Sequence, residues 1–343
     1  MHFKDAALLL IAGLSACTAA EDENRQAVSE VLGVHRTVAD SLAPLKARAE
    51  YAALDDRAVE SLARAAEAHW SREFSGFSYQ KVERFSAGGA SHWISIWVHE
   101  RTGLEFVLLP GGKFRMGSPA EELDRQDDEL QHWVTLDPFL IARAECTQRA
   151  WARLASEAGV APDPSRFEGS DLLPVSSVSL HDIKSWCRAA HVSLPTEAQW
   201  EFACRAGTTS AWTMGDDRRE LARFANLGSA DCPQDWINAD VKITEPWLDG
   251  YGNALSVAGS FSANAFGLYD VHGNVREWCR DDYVAYETPA ARGTGLRTGN
   301  SRLAVARGGS FNGTARIARS AERNSDEGIL HRHFGFRPCV DLP

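Results

Sequence analysis

Residues 264–278, Asn-Ala-Phe-Gly-Leu-Tyr-Asp-Val-His-Gly-Asn-Val-Arg-Glu-Trp, constrain this chain more than any other stretch. Three aromatics, two glycines, two carboxylates and two asparagines fall within fifteen residues, and neither the helical period of 3.6 nor the strand period of two is sustained. A stiff, irregular backbone of this kind has to be held by side-chain and ligand contacts. Two further segments, Leu194-Pro-Thr-Glu-Ala-Gln-Trp-Glu201 and Ala306-Arg-Gly-Gly-Ser-Phe311, read the same way.

The 343 residues are 44% hydrophobic, enough for a sizeable core in one large domain or two ordinary ones. A net charge of −11 with no cluster of Lys or Arg argues against a nucleic-acid partner, because phosphate binding needs a basic surface. Eleven tryptophans spread through loop-rich sequence point to large rings filling an irregular core.

The first residues read as an address. Lys4 is followed by the apolar run Ala6 to Gly13 and then by Leu14-Ser15-Ala16-Cys17. The run is too short to span a bilayer and reads as a secretory signal. Leu-Ser-Ala-Cys resembles a bacterial lipobox, which implies lipidation of Cys17 and a firm membrane anchor. Thr18 after the cysteine resembles the sorting signal for the outer membrane, so the expectation is an exported outer-membrane lipoprotein facing the periplasm, or one at the cell surface.

Residues 1–17 are thus predicted as signal peptide, 18–91 as helical stalk and linker, and 92–343 as the folded domain. Val28, Val31, Leu32, Val38, Leu42 and Leu45 recur at helical steps, and a second helical face runs from Asp55 to Trp70. Phe74 to Ser91, with Gly76, Gly88 and Gly89 and little period, is assigned to the linker. Strands are predicted from His92, again over Leu104 to Leu109, and over His132 to Ile141. The acidic run Glu121 to Glu129 reads as a solvated face. Helices are predicted over 147–159, 181–191 with Ser179 as N-cap, and 197–205 capped by Thr196. Beyond Gly207 no long periodic segment remains, and chains of that kind need metal ions or disulfides as ties.

Eight segments, taken in order, resemble the formylglycine-generating-enzyme (sulfatase-modifying factor) family. They are Leu104 to Ser118, Glu145-Cys-Thr-Gln148, Pro174 to Ser179, Leu194 to Ala203, Gly267-Leu-Tyr-Asp270, Gly273-Asn-Val-Arg-Glu-Trp278, Arg307-Gly-Gly-Ser310 and Gly335-Phe-Arg337. Any one is weak, but together they span roughly 104–340. The resemblance implies an α+β domain related to C-type lectins and poor in regular structure. It also implies structural calcium, with Asn226, Leu227, Asp249 and Tyr251 as a first site and Asn274 and Glu277 as the core of a second. Calcium suits such loops, since it takes hard oxygen donors, backbone carbonyls included. Arg276 stands where the family has tryptophan.

In family members that convert a sulfatase cysteine to formylglycine, two cysteines shortly after Arg-Gly-Gly-Ser bind copper(I). Residues 307–320 hold no cysteine here, so the resemblance implies that copper is not expected. Cys187 and Cys339 match positions paired in disulfide-bonded members. Closing that loop would contribute on the order of 4 kcal/mol. Cys204 matches another such position, but its expected partner is Ile317. Pairing among Cys146, Cys204, Cys232 and Cys279 stays open.

Three readings follow: a genuine sulfatase-activating oxidase, a divergent periplasmic modification enzyme using the same cleft, and a non-catalytic binding or scaffold lipoprotein. For the second, the cleft candidates are Ser310, Asn312, Arg316, Arg319, His331 and His333, with an envelope protein or peptide as substrate. His331-Arg-His333 lacks a third ligand in sequence, and the sequence shows no acid–base pair. No P-loop or Gly-x-Gly-x-x-Gly occurs, and Gly308-Gly-Ser310-Phe-Asn312 falls short of a nucleophile elbow.

Overall fold

The computed structural model describes residues 55–61, 63–64, 76–231 and 245–342. Cys17, Cys232 and most of the expected stalk lie outside them. The described part of residues 55–64 is helical, buries Val59 and Ala63, and sets the Arg64 guanidinium 5.2 Å from the Tyr79 ring centre.

The expected linker is in fact a strand. β1 (Phe77–Ala87) pairs antiparallel with β2 (Ala90–His99), and Gly88 and Gly89, at φ 55° and 78°, make the two-residue turn between them. Both central turn residues need positive φ, which two glycines adopt freely. The aromatics give β1 its hold: Phe77 packs edge-on against Phe106, and the Arg143 guanidinium sits over Phe85. Strand formation therefore starts well before His92.

β2 leads through a turn at Gly103 to β3 (Glu105–Leu109), and β4 (Gly112–Met116) follows. The single strand expected over 132–141 is two, β5 (His132–Leu136) and β6 (Phe139–Ala142), broken at Asp137-Pro138, where proline cannot donate to a ladder. β1, β2, β3, β6 and β11 (Cys339–Asp341) form a five-stranded antiparallel sheet, and β4 and β5 form a ribbon.

Three helices sit where local signals put them. α1 (Gln148–Ala158) is capped by Thr147, α2 (Leu180–Ala190) by Ser179, and α3 (Glu197–Arg205) by Thr196 in a capping box with Gln199. Trp151 of α1 stacks on Trp186 of α2 with ring centres 5.9 Å apart, and Phe336 meets both edge-on. Nothing of α3 faces solvent, since all nine of its residues are buried.

After α3 the chain is mostly loop. A second sheet, ordered β10-β7-β8-β9, comprises β7 (Arg276–Asp282), β8 (Ala304–Arg307), β9 (Asn324–Asp326) and β10 (Phe334–Gly335), with only β10 and β7 parallel. The 264–278 stretch leads into β7. Asn264 pins it to the end of α3, its Nδ2 donating to the Ala203 and Cys204 carbonyls at 2.8 and 3.0 Å while its Oδ1 accepts from Phe266 and Leu268 N–H. Left-handed backbone at Gly267, Asp270 and Asn274 explains the missing period. The α+β architecture poor in regular structure is the one observed.

The acidic run at 121–129 is not simply a solvated face. Glu129 and Arg319 are both fully buried and make a two-point pair, with Glu122 and Glu322 also on the guanidinium. A cation reached from nearly two hundred residues away turns the run inward.

Candidate functional site

β7 separates two environments because successive side chains point to opposite faces. Glu277 faces inward. Arg337 holds both its oxygens, Nε to Oε2 at 2.8 Å and Nη2 to Oε1 at 2.6 Å, and the Trp200 indole donates to Oε2 at 2.8 Å. Arg276 faces the other way. Its backbone N–H donates to the His333 carbonyl at 2.8 Å, and its guanidinium carbon lies 5.6 Å from the Phe334 ring centre. Glu322, Arg316 and His333 are its charged and titratable neighbours.

The segment after β8 is built on a buried Arg307. Its guanidinium joins Glu197 and Glu201 and donates to the Ala321 and Ser320 carbonyls, both at 2.8 Å. Gly308 and Gly309, at φ 98° and 75°, let the chain pass the Trp200 ring and Ala318; any side chain there would collide. Ser310 is then buried and donates to the Asn312 side-chain oxygen at 2.8 Å. Asn312 and Arg316 are exposed.

Of the six cleft candidates, Arg319 belongs elsewhere: shut inside its glutamate cluster, it ties loops together and has no open face. Ser310, also buried, supports Asn312 from beneath. His331 and His333 are half-buried with ring centres 5.5 Å apart. His331 Nε2 meets Asp326 Oδ2 at 2.9 Å, and an imidazole so oriented can take and return a proton at its other nitrogen. This carboxylate–imidazole pair was invisible in the sequence because β9 and the loop before β10 bring it together. Burial and the neighbouring Arg276 push the His333 imidazole down to about 4, so it stays neutral. Burial pushes the Glu322 carboxyl up to about 7 against the pull of Arg319.

In the first expected calcium set, Asp249 is tied to both backbone segments named with it. Asp249 accepts from the Leu227 N–H at 3.2 Å and from the Tyr251 N–H at 2.9 Å. Asn226 donates through Nδ2 to Ala254 O and to Asn274 Oδ1, while its own Oδ1 is buried with no hydrogen-bond partner among the described residues. An orphaned buried oxygen, one residue from the Leu227 N–H that Asp249 holds, fits a hard cation. Gly273 makes the junction possible, since a Cβ there would lie 2.2 Å from the Asn226 carbonyl oxygen.

The side chains of the second set are engaged by other residues. Both Glu277 oxygens are engaged by Arg337 and Trp200, and Asn274 spends its amide on Glu145, Ser256 and Asn226. Two carboxyls without an assigned role lie beside it instead. Glu145 and Asp270 are fully buried electrostatic neighbours, and Asp270 Oδ1 has no hydrogen-bond partner among the described residues. Burial pushes Asp270 up to about 6 and Glu145 well above the carboxylate range. Both lie in motif segments, Glu145-Cys-Thr-Gln148 and Gly267-Leu-Tyr-Asp270, which was the available signal. Among the described residues no three His, Cys, Asp or Glu side chains are grouped to hold a metal ion.

The five described cysteines are all buried thiols. Burial pushes Cys187 and Cys204 up to about 12 and holds the other three well above the ordinary thiol range. Cys187 and Cys339 come to neighbouring positions, because Ser193, just past α2, exchanges backbone hydrogen bonds of 2.8 and 2.7 Å with Cys339. They stand as separate thiols. The Cys204 sulfur lies 3.8 Å from His272 Nε2 and 3.7 Å from Ser320 Oγ, not against another sulfur.

The sulfatase-modifying factor enzyme 1-like domain matches residues 97–342. The chain belongs to that family. Over 295 residues it is 30% identical to the formylglycine-generating enzyme of Thermomonospora curvata, spanning 68% of this chain and 93% of that protein. It is 26% identical over 232 residues to the chaperone protein LppX of Paenibacillus barcinonensis, spanning 54% of this chain and 74% of the relative. The solved structure of PvdO from Pseudomonas aeruginosa aligns with a TM-score of 0.60 at 27% identity, covering 71% of this chain and 96% of PvdO. Within this sulfatase-modifying factor family, the present chain keeps the buried Arg-Gly-Gly-Ser turn and has no thiol in the segment after it.

Proposed function

We propose that this family member is an exported lipoprotein, anchored through Cys17 and facing the periplasm, that modifies an envelope protein or peptide without the copper-dependent oxidation of cysteine to formylglycine. One observation carries the reading: residues 307–320 hold no cysteine, and their Arg316 lies near Arg276, whose neighbour His333 adjoins the His331–Asp326 pair. A soft copper(I) ion needs thiolate donors. The described cysteines are buried and held protonated, which supplies none. What this face does offer is an imidazole oriented to carry a proton, neutral His333 and a cationic wall.

Calcium belongs to the same proposal as a structural ion at the Asn226 and Asp249 loops, where the orphaned Asn226 oxygen supports it. A second reading, a non-catalytic binding module, draws on the similarity to a protein named as a chaperone. The deciding experiment incubates the purified protein with copper and a Cys-x-Pro-x-Arg peptide and measures aldehyde, alongside the bound metal content. No aldehyde is expected. Turnover would sink the proposal, and calcium alone with no chemical change in any envelope peptide would favour the binding module. Mass spectrometry of the mature protein checks for acyl chains on Cys17.

A further inference from the structure

We infer that Arg276 anchors a binding site for a carboxylate-bearing ligand, its guanidinium taking one carboxylate side-on at the face of the second sheet. The other buried arginines are spoken for. Arg307, Arg319, Arg323 and Arg337 each hold at least one carboxylate, and Arg143, Arg205 and Arg297 each donate to identified oxygens or nitrogens. Arg276 is 8% exposed and its guanidinium makes no hydrogen bond to a described residue, yet its nitrogens still reach solvent, unlike Arg307 Nε and Arg319 Nε, which are closed off. Glu322 is near but beyond ion-pair distance and is engaged by Arg319. A guanidinium held by the protein only at its carbon face, with nitrogens that reach solvent and meet no protein acceptor, can take an acceptor from outside.

The chemistry of the surroundings selects the class of ligand. A planar guanidinium backed by the Phe334 ring presents one free fork, which matches a carboxylate in a two-point contact. A phosphate dianion would meet the Glu322 side chain with no second buried cation or backbone cradle to offset it. Arg316, exposed beside the site, extends the positive field outward and draws a monoanion in. A peptide C-terminus and an acidic side chain carry the same group.

This inference rests on reading the 307–333 face as the working cleft, and it is tested without turnover. Using the full chain in detergent, binding of acetate is measured by carbon-13 relaxation and thermal shift, with acetamide and inorganic phosphate as controls. Saturable acetate binding is expected, with acetamide inert and phosphate weaker than acetate. Arg276→Gln should weaken acetate by about 10- to 100-fold while leaving the melting temperature unchanged or higher, because the guanidinium makes no hydrogen bond or ion pair to a described residue that would be lost. Arg276→Lys should also lose most of the binding, since a point charge lacks the fork. Equal acetate affinity in Arg276→Gln, tighter phosphate than acetate, or a lowered melting temperature in Arg276→Gln with full acetate binding in Arg276→Lys would each overturn the inference. Aldehyde formation from the peptide would sink the modification reading and leave the acetate result to stand by itself.

Discussion

Arg337 grips Glu277 by both carboxylate oxygens, at 2.8 and 2.6 Å, with both side chains cut off from solvent. The pair joins the strand after the 264–278 stretch to the chain's last motif. Removing one partner strands the other as a buried charge. Arg337→Met is therefore expected to cost about 3–5 kcal/mol in urea unfolding. The double variant Arg337→Met with Glu277→Leu should recover much of that loss, and a double loss equal to the sum of the single ones would contradict the pairing.

Calcium dependence should follow Asn226 and Asp249. Calcium at a hundredfold excess over its dissociation constant adds about 2.7 kcal/mol to a protein that binds it only when folded. Asp249→Asn should abolish that gain. It should leave stability in chelator unchanged or higher, because the Asp249 carboxyl is already disfavoured by burial. Glu277→Gln should lower stability equally with calcium and with chelator, since Arg337 and Trp200 occupy its oxygens.

The thiols give a count. With Cys187 and Cys204 pushed up to about 12, native protein should hardly react with a disulfide reagent at pH 8. We expect exported, oxidised protein to close Cys187 onto its neighbour Cys339. After unfolding without reductant it should then show two fewer reactive thiols than the reduced sample. An equal count would retire the bridge.

Histidine burial sets an acid limb. His99 contacts Thr102 Oγ1 at 2.9 Å, and burial, with Arg101 adding to it, pushes its imidazole down to about 4. Between pH 6.5 and 4 the unfolded chain binds a proton that the native side chain refuses. Stability is thus present above pH 6.5 and is lost as pH falls toward 4. Taken from 6.5 to about 4, the share from His99 is about 3 kcal/mol. His99→Gln should flatten the melting-temperature profile in that window, and an unchanged slope would show that the ring titrates freely.

Much of the fold was legible because its signals are local. Thr147, Ser179 and Thr196 cap helices from positions one residue away, and a cap depends on little beyond its own turn. Strand β1 was missed because two adjacent glycines read as a loose linker, when here they form the tight turn of a hairpin. The acidic run was misread for a different reason: nothing in residues 121–129 announces that Arg319 will arrive among them.

The sequence by itself determined the family, the irregular character of the 264–278 stretch and the absence of cysteine after Arg-Gly-Gly-Ser, since motif order and residue identity are properties of the chain. Which charges are paired was decided only in three dimensions. Glu277 shows its partner only when Arg337 closes on it, Arg319 reads as a cleft residue until three glutamates surround it, and Arg276 is distinguished by meeting no acceptor among the described residues. Charge pairing depends on distance and desolvation, and both are set by segments that meet only when the two sheets and the loops between them are assembled.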